Sequence, residues 1–268
     1  MEPQSAANPD FTFPFRPTVN DFTFAFQPIV NIETCEVYSY EALIRGVNNE
    51  PAYQIMGAVP ADDLHLFDQN ARIVAIALAA RLGITCHLNL NFLPQSLCTS
   101  SASILTTMEA ARQNDLPIEL IVVEVTENEV IGDHARFTEL INGYRALGVK
   151  VAIDDFGAGY SGLNLLANFQ PDQIKLDMTL VRGIESHGPR QAIVRAVDQV
   201  CCDLGIDVIA EGVETIEEYL WLENQGIKLF QGYLFAKPAF ECLPLAHYPN
   251  NPLNSAAPQI GGSPFRQQ

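Results

Sequence analysis

A strongly polar residue recurs at the end of nearly every apolar run in this chain: Glu41, Asn89, Glu124, the pair Asp154 and Asp155, Lys175, Glu211 and Gln231. Buried singly, each would cost roughly several kcal/mol, a large share of what a domain has to spare. One shared site that compensates them together is the economical reading. Apart from Lys175 these are hard oxygen donors, with no cysteine or histidine among them, and such a set suits Mg²⁺ or Mn²⁺ better than zinc. The four carboxylates of Glu41, Glu124, Asp154 and Asp155 plus the Asn89 amide exceed what one magnesium ion takes from protein, so two ions are expected. A pair of divalent ions sharing a bridging carboxylate is an arrangement for in-line attack of water on a phosphodiester. In that chemistry Lys175 orients the water or steadies developing charge, while Glu211 binds metal or relays a proton.

The elements that must position these residues are short apolar strands alternating with helical stretches. Strands are expected at Phe22–Val30, Val37–Ile44, Thr85–Asn91, Leu120–Thr126, Val149–Ile153, Gln173–Asp177, Asp207–Ala210 and Ile227–Phe230. Helices are expected at Leu66–Leu82, Ser101–Asp115, Ala135–Leu147, Arg190–Leu204 and Thr215–Gln225. That order predicts parallel strands joined by crossovers. The first connection is the exception, because Asn31 to Glu36 is too short for a crossover. The first two strands therefore form an antiparallel hairpin, which sets Gln27 across from Tyr40 and Glu41. The fold class expected is α/β, a TIM-like (β/α)8 barrel with an antiparallel first strand, whose reactive groups gather where strands hand over to loops. Asp154 and Asp155 are adjacent and reach one site only if the strand turns between them.

Composition narrows the partners. The 268 residues carry 32 acidic against 15 basic side chains, a net charge of −17, which argues against binding DNA, RNA or an anionic membrane. The longest apolar run, near Ile73–Ala80, is too short to span a bilayer, and Met1–Asp10 lacks the features of a secretion signal. A cytoplasmic protein is expected, with its six cysteines as reduced core thiols. The chain divides into an irregular tail at 1–20, one domain at 21–248 and a second irregular tail at 249–268.

Read in order, the motifs EALIR (Glu41–Arg45), LNLNF around Asn89, EVTE (Glu124–Glu127), DDFGAGYSG (Asp154–Gly162), KLD (Lys175–Asp177), AEGVE (Ala210–Glu214) and QGYLFAKP (Gln231–Pro238) resemble the EAL-domain cyclic di-GMP phosphodiesterases, here as a stand-alone EAL domain. The resemblance implies hydrolysis of cyclic di-GMP to linear pGpG with two Mg²⁺ or Mn²⁺ ions, and inhibition by Ca²⁺. It implies metal ligation by Glu41, Asn89, Glu124, Asp154 and Asp155, completed by Glu211 and Gln231, with Lys175 at the attacking water. It sets Gln27, Leu43, Arg45, Asp177 and Pro238 against the substrate, with Asp68 as a further candidate on a helix that departs from the usual family pattern. Glu127, Gly157, Gly159 and Glu214 would steady the glycine loop, and a homodimer is implied. Asn91 stands where many members have serine, a change expected to be tolerated.

Two other readings compete. Gly157–Gly162 satisfies the GxGxxG pattern of dinucleotide-binding folds, with Asp177 near the expected acidic offset. Yet Asp154 and Asp155 would aim two negative charges at a pyrophosphate, and four strands precede the motif. The other alternative is a non-catalytic cyclic di-GMP receptor. Receptors of that kind typically lack a metal ligand or the lysine, and here the set is complete.

Overall fold

The computed structural model describes residues 22–93, 102–126, 141–159 and 162–249. Strand β1 (Phe22–Asn31) runs antiparallel to β2 (Glu36–Gly46) along its whole length, and Gln27 faces Glu41 across the pair as the short connection required. From β2 onward every strand is parallel to the one before it: β3 (His87–Asn91), β4 (Ile121–Thr126), β5 (Lys150–Phe156), β6 (Gln173–Leu176), β7 (Asp207–Ala210) and β8 (Leu229–Phe230). Strand β8 then pairs antiparallel with β1 at Val30 and Asn31, so the eight strands close into a barrel. A ninth strand, β9 (Ala239–Phe240), lies beside β1 at Ala25 and Phe26. Two residues carry no readable periodicity, so this strand has no signature in the sequence.

Helices wrap the outside. Helix Gly188–Leu204 shows why: Val194, Val197 and Cys201 recur on one face and are buried, while Cys202, the next residue, is exposed. Among the described residues the expectation of core thiols therefore holds in full for Cys201 alone, and Cys98 lies outside them. Cys86 is half-buried, and Cys35, Cys202 and Cys242 are exposed, all of them free. Helix Leu64–Arg81 begins two residues ahead of its expected start, and of the helix expected at Ala135–Leu147 only residues 141–147 are described, helical over 141–146. The terminal tails, Pro249 excepted, fall outside them.

Inside the barrel, Ile29, Ile209 and Leu229 form a small apolar cluster of their own. Each stands two residues along its strand from Gln27, Glu211 or Gln231, so the period of two that aims the polar residues inward also floors them with hydrocarbon. A charged ring on that floor sits where water is scarce and interactions between charges are strong.

Gly232 fixes one edge of this ring. A Cβ built on it would stand 2.0 Å from the Val213 carbonyl oxygen and 2.4 Å from the Val213 amide nitrogen. Both obstacles are backbone, held by the bonds Val213 N to Gln231 O and Leu234 N to Val213 O. Gly232→Ala is expected to destabilise the protein by about 3 kcal/mol or more. A thermal midpoint within a degree or two of the parent would refute that packing argument.

Candidate active site

Lys175 is the centre of the site. Projecting from β6 and almost wholly buried, its Nζ lies 2.7 Å from Glu211 Oε1, 2.9 Å from Glu124 Oε1, 3.2 Å from Asp154 Oδ1 and 3.3 Å from Glu41 Oε2. These four carboxylates come from β2, β4, β5 and the loop after β7, so the barrel's curvature gathers residues distant in sequence. Glu41 also accepts from Gln231 Nε2 at 2.7 Å and from Asn91 Nδ2 at 3.4 Å. Asn89 donates to Glu124 at 2.8 Å, and Gln231 reaches back to Gln27 at 3.5 Å.

Asp154 and Asp155 meet the site by a bulge rather than by the end of the strand. The pairing of β5 with β6 shifts register between Ile153 and Phe156, and Asp155 adopts a left-handed φ of 53°. A non-glycine residue there is strained by about 1 to 3 kcal/mol, a cost that survives where surrounding structure insists on it. The result is two overlapping oxygen clusters, Glu41 with Glu124 and Asp154, and Asp154 with Asp155 and Glu211. Asp154 belongs to both, the place of a bridging carboxylate.

The electrostatics are unbalanced by design of the sequence. Burial pushes the Glu124 carboxyl up to about 8, with Glu41 and Asp154 adding to the rise against Lys175 and the Asn89 amide. Glu211 is raised well above the carboxylate range, by burial first and then by Asp154 and Glu41. Asp155 is raised too, by burial and then by Asp154. Burial also works against the Lys175 ammonium, yet the surrounding carboxylates hold its pKa well above the ordinary lysine value. Two oxygens in the ring, Asn89 Oδ1 and Glu124 Oε2, are buried without a hydrogen-bond partner. Orphaned acceptors beside clustered carboxylates fit divalent cations, which supply what hydrogen bonds do not.

The ring opens on a cleft of about 330 Å³ lined by Asp155, Asp177, Met178, Arg182, Gly212, Glu214 and Tyr233 as well as ring members. Across Glu41, a second, more apolar cleft of about 270 Å³ contains Leu43, Arg45, Asp68 and Asn91. Five of the six expected substrate residues thus divide between two clefts, Gln27 and Asp177 in the first and Leu43, Arg45 and Asp68 in the second. Asp68 is buried and already engaged: it pairs with Arg72 and accepts from the Leu93 amide at 3.2 Å. Asp177, expected to end a strand, instead caps the turn Met178–Val181, accepting from the Thr179 amide and hydroxyl. Pro238 is half-buried in the segment before β9, apart from the residues lining either cleft. Gly157 and Gly159 follow the bulge, and Glu214 bonds to Arg182 at 2.8 Å across the cleft mouth. Glu127 lies outside the described residues. Arg182, Met178 and Tyr233 were not singled out from sequence, since they sit in loops after β6 and β8 where no periodicity marks the inward face.

Comparison with known proteins agrees with this geometry. A standalone EAL protein of Vibrio cholerae O395, solved with c-di-GMP bound, is 49% identical with a TM-score of 0.83, covering 89% of this chain and 99% of that one. Klebsiella pneumoniae BlrP1, solved with manganese and cy-diGMP, is 43% identical with a TM-score of 0.80, covering 85% and 58%. In Escherichia coli the blue light- and temperature-regulated antirepressor BluF is 38% identical over 80% of this chain and 53% of its own length. The cyclic di-GMP phosphodiesterase PdeR of the same organism is 34% identical over 76% and 32%. The chain spans about half or less of the length of these two curated relatives. The EAL domain family profile matches residues 16–238, and with the closed mixed barrel and the ordered strand-end motifs this places the chain in the EAL domain family.

Proposed function

We propose that this protein hydrolyses cyclic di-GMP to linear pGpG by metal-assisted attack of water on one phosphodiester. The observation that carries the reading is the charge of the ring. Fully ionised, the five carboxylates of Glu41, Glu124, Asp154, Asp155 and Glu211 leave four negative charges against the one ammonium of Lys175, the amount two divalent cations bring. Glu41, Asn89, Glu124, Asp154, Asp155, Glu211 and Gln231 are the residues assigned to hold them, as Mg²⁺ or Mn²⁺. Such ions, when bound, lower the pKa of water and neutralise diester charge.

The chain's own groups do the rest. Lys175, fixed by its carboxylates, donates to the attacking water and steadies charge as it develops. Glu211, nearest to Lys175, takes the proton that the water releases. Asn91 and Gln231 orient Glu41 through its two oxygens. Arg45 stands in the second cleft as the cation that meets the anionic dinucleotide, with Leu43 beside it. Gln27, Asp68, Asp177 and Pro238 are the remaining residues assigned to the substrate. The free cysteines suit a reducing compartment, so we place the protein in the cytoplasm, as a homodimer built on a catalytic domain spanning 21–248.

A second reading is a domain that binds cyclic di-GMP without cleaving it, the ligand found bound in the similar Vibrio cholerae protein. Incubation with cyclic di-GMP and Mn²⁺ followed by chromatography separates the two. Appearance of pGpG is expected. Intact substrate, with binding retained, would establish the receptor instead.

A further inference from the structure

Helix Ile216–Asn224 carries an acid that none of the chemistry above employs. Glu218 is 2% exposed, and both of its carboxylate oxygens are occupied by backbone. Oε1 accepts from the Gly183 amide at 2.9 Å, in the loop that follows β6. Oε2 accepts from the amides of Glu214 and Thr215 at 2.9 and 3.1 Å, in the loop that follows β7. The guanidinium of Arg182 approaches the same carboxylate at 3.9 Å and spans to Glu214. Only the Oε2 bonds and the Thr215 hydroxyl belong to the helix cap, a capping box. The bond to Gly183 reaches outside the helix altogether.

The two loops so joined supply one wall of the ring's cleft: Asp177, Met178 and Arg182 from the first, Glu211, Gly212 and Glu214 from the second. They already touch, since a Cβ on Gly212 would lie 2.8 Å from Met178 Cβ, and Glu211 N donates to Leu176 O at 3.3 Å. The distance that this wall sets is the 2.7 Å between Lys175 Nζ and Glu211 Oε1. We propose that Glu218 is a positioning residue: by tying the loop after β6 to the loop after β7 it holds Glu211 in register with Lys175 and the rest of the oxygen ring. The inference rests on the metal-dependent reading of that ring.

The test exploits the division of labour between the two oxygens. In Glu218→Gln the single remaining oxygen can serve Glu214 and Thr215, but the new amide then turns a donor toward Gly183 N, so the cap survives and the tie is lost. Thr215→Ala does the reverse, removing the cap hydroxyl and leaving the tie. Mn²⁺ affinity is measured calorimetrically without substrate, alongside kcat, KM and thermal midpoint. Glu218→Gln is expected to weaken Mn²⁺ binding and lower kcat about tenfold each, with KM within twofold. Thr215→Ala is expected to lower the midpoint at least as much, with both other quantities within twofold. Unchanged Mn²⁺ affinity and kcat in Glu218→Gln, or equal losses in Thr215→Ala, would overturn the proposal. Should Glu218→Gln fail to fold, Glu218→Asp keeps the charge while falling short of Gly183. Failure of both to fold would assign Glu218 to the fold alone and overturn the proposal as well. If the parent binds Mn²⁺ but leaves cyclic di-GMP intact, the hydrolase reading fails while the Mn²⁺ measurements still decide the role of Glu218.

Discussion

Glu41→Ala is expected to lower kcat by about a thousandfold or more, equivalent to roughly 4 kcal/mol of lost transition-state stabilisation. Among the described residues Glu41 is the ring carboxylate with the most partners: Lys175, Gln231 and Asn91 all converge on its two oxygens, and it shares an oxygen cluster with Glu124 and Asp154. Removing it deletes a proposed metal ligand and frees Gln231 and Asn91 to turn elsewhere. The loss does not require unfolding. Without metal, the ring is short of positive charge, so taking away one of five crowded carboxylates relieves repulsion and the metal-free thermal midpoint is expected to hold or rise. Arg45→Ala supplies the contrast. Arg45 lies in the second cleft, away from the ring, and its guanidinium donates to the neighbouring Ile44 carbonyl at 2.7 Å. Its removal is expected to raise KM about tenfold and leave kcat nearly intact. Steady-state kinetics with saturating Mn²⁺ distinguishes the two, and equal mild losses in both variants would contradict the separation of roles.

Much of this site could be read from residues alone because its geometry follows from strand periodicity. Glu41, Asn89, Glu124 and Lys175 each lie on a strand whose alternate residues must point into the barrel, and each proves buried at the ring. The length of the first connection was enough to reverse β1 and bring Gln27 opposite Glu41. What periodicity does not govern was less legible. Asp154 and Asp155 converge through a bulge and a left-handed residue, a conformation that the flanking sequence does not encode and that tertiary pairing with β6 imposes. Asp177 reads as the last residue of a strand, but its carboxylate finds the Thr179 amide and hydroxyl and starts a helical turn instead. Asp68, a candidate substrate contact from sequence, lines the second cleft, yet Arg72 four residues on pairs with it, an interaction between helix neighbours that competes with any ligand. Arg182 and Glu218 escaped notice for a different reason. Their importance lies in a contact between two loops, and no local pattern in either loop announces the other.

Metal removal is expected to make the stability of this protein fall as pH rises. The Glu124 carboxyl is pushed up to about 8 by burial and by Glu41 and Asp154, and Glu211 is likewise raised well above the carboxylate range by burial and by Asp154 and Glu41. In the unfolded chain both return to the ordinary carboxylate range, near 4.5. Between those limits the folded, metal-free protein holds more protons than the unfolded one, so its stability is full at the acidic end and is lost as pH climbs through the raised values. Lys175 adds no slope in this window, because its pKa is raised from a value already above it. Divalent cations reverse the trend. Held by the same oxygens, they would take the place of the protons, bind more tightly as those protons leave, and stabilise the folded state in proportion. The expected result is a thermal midpoint that drops by roughly 5 °C or more from pH 5.5 to pH 8.5 in EDTA, and a Mn²⁺-induced rise that is larger at pH 8.5 than at pH 5.5. Scanning fluorimetry across that range, with and without Mn²⁺, reads both. A metal-free midpoint that is flat or climbs with pH, together with a Mn²⁺ shift indifferent to pH, would mean that the ring's carboxylates are not crowded as the fold places them, and the assignment of paired cations to that ring would lose its physical basis.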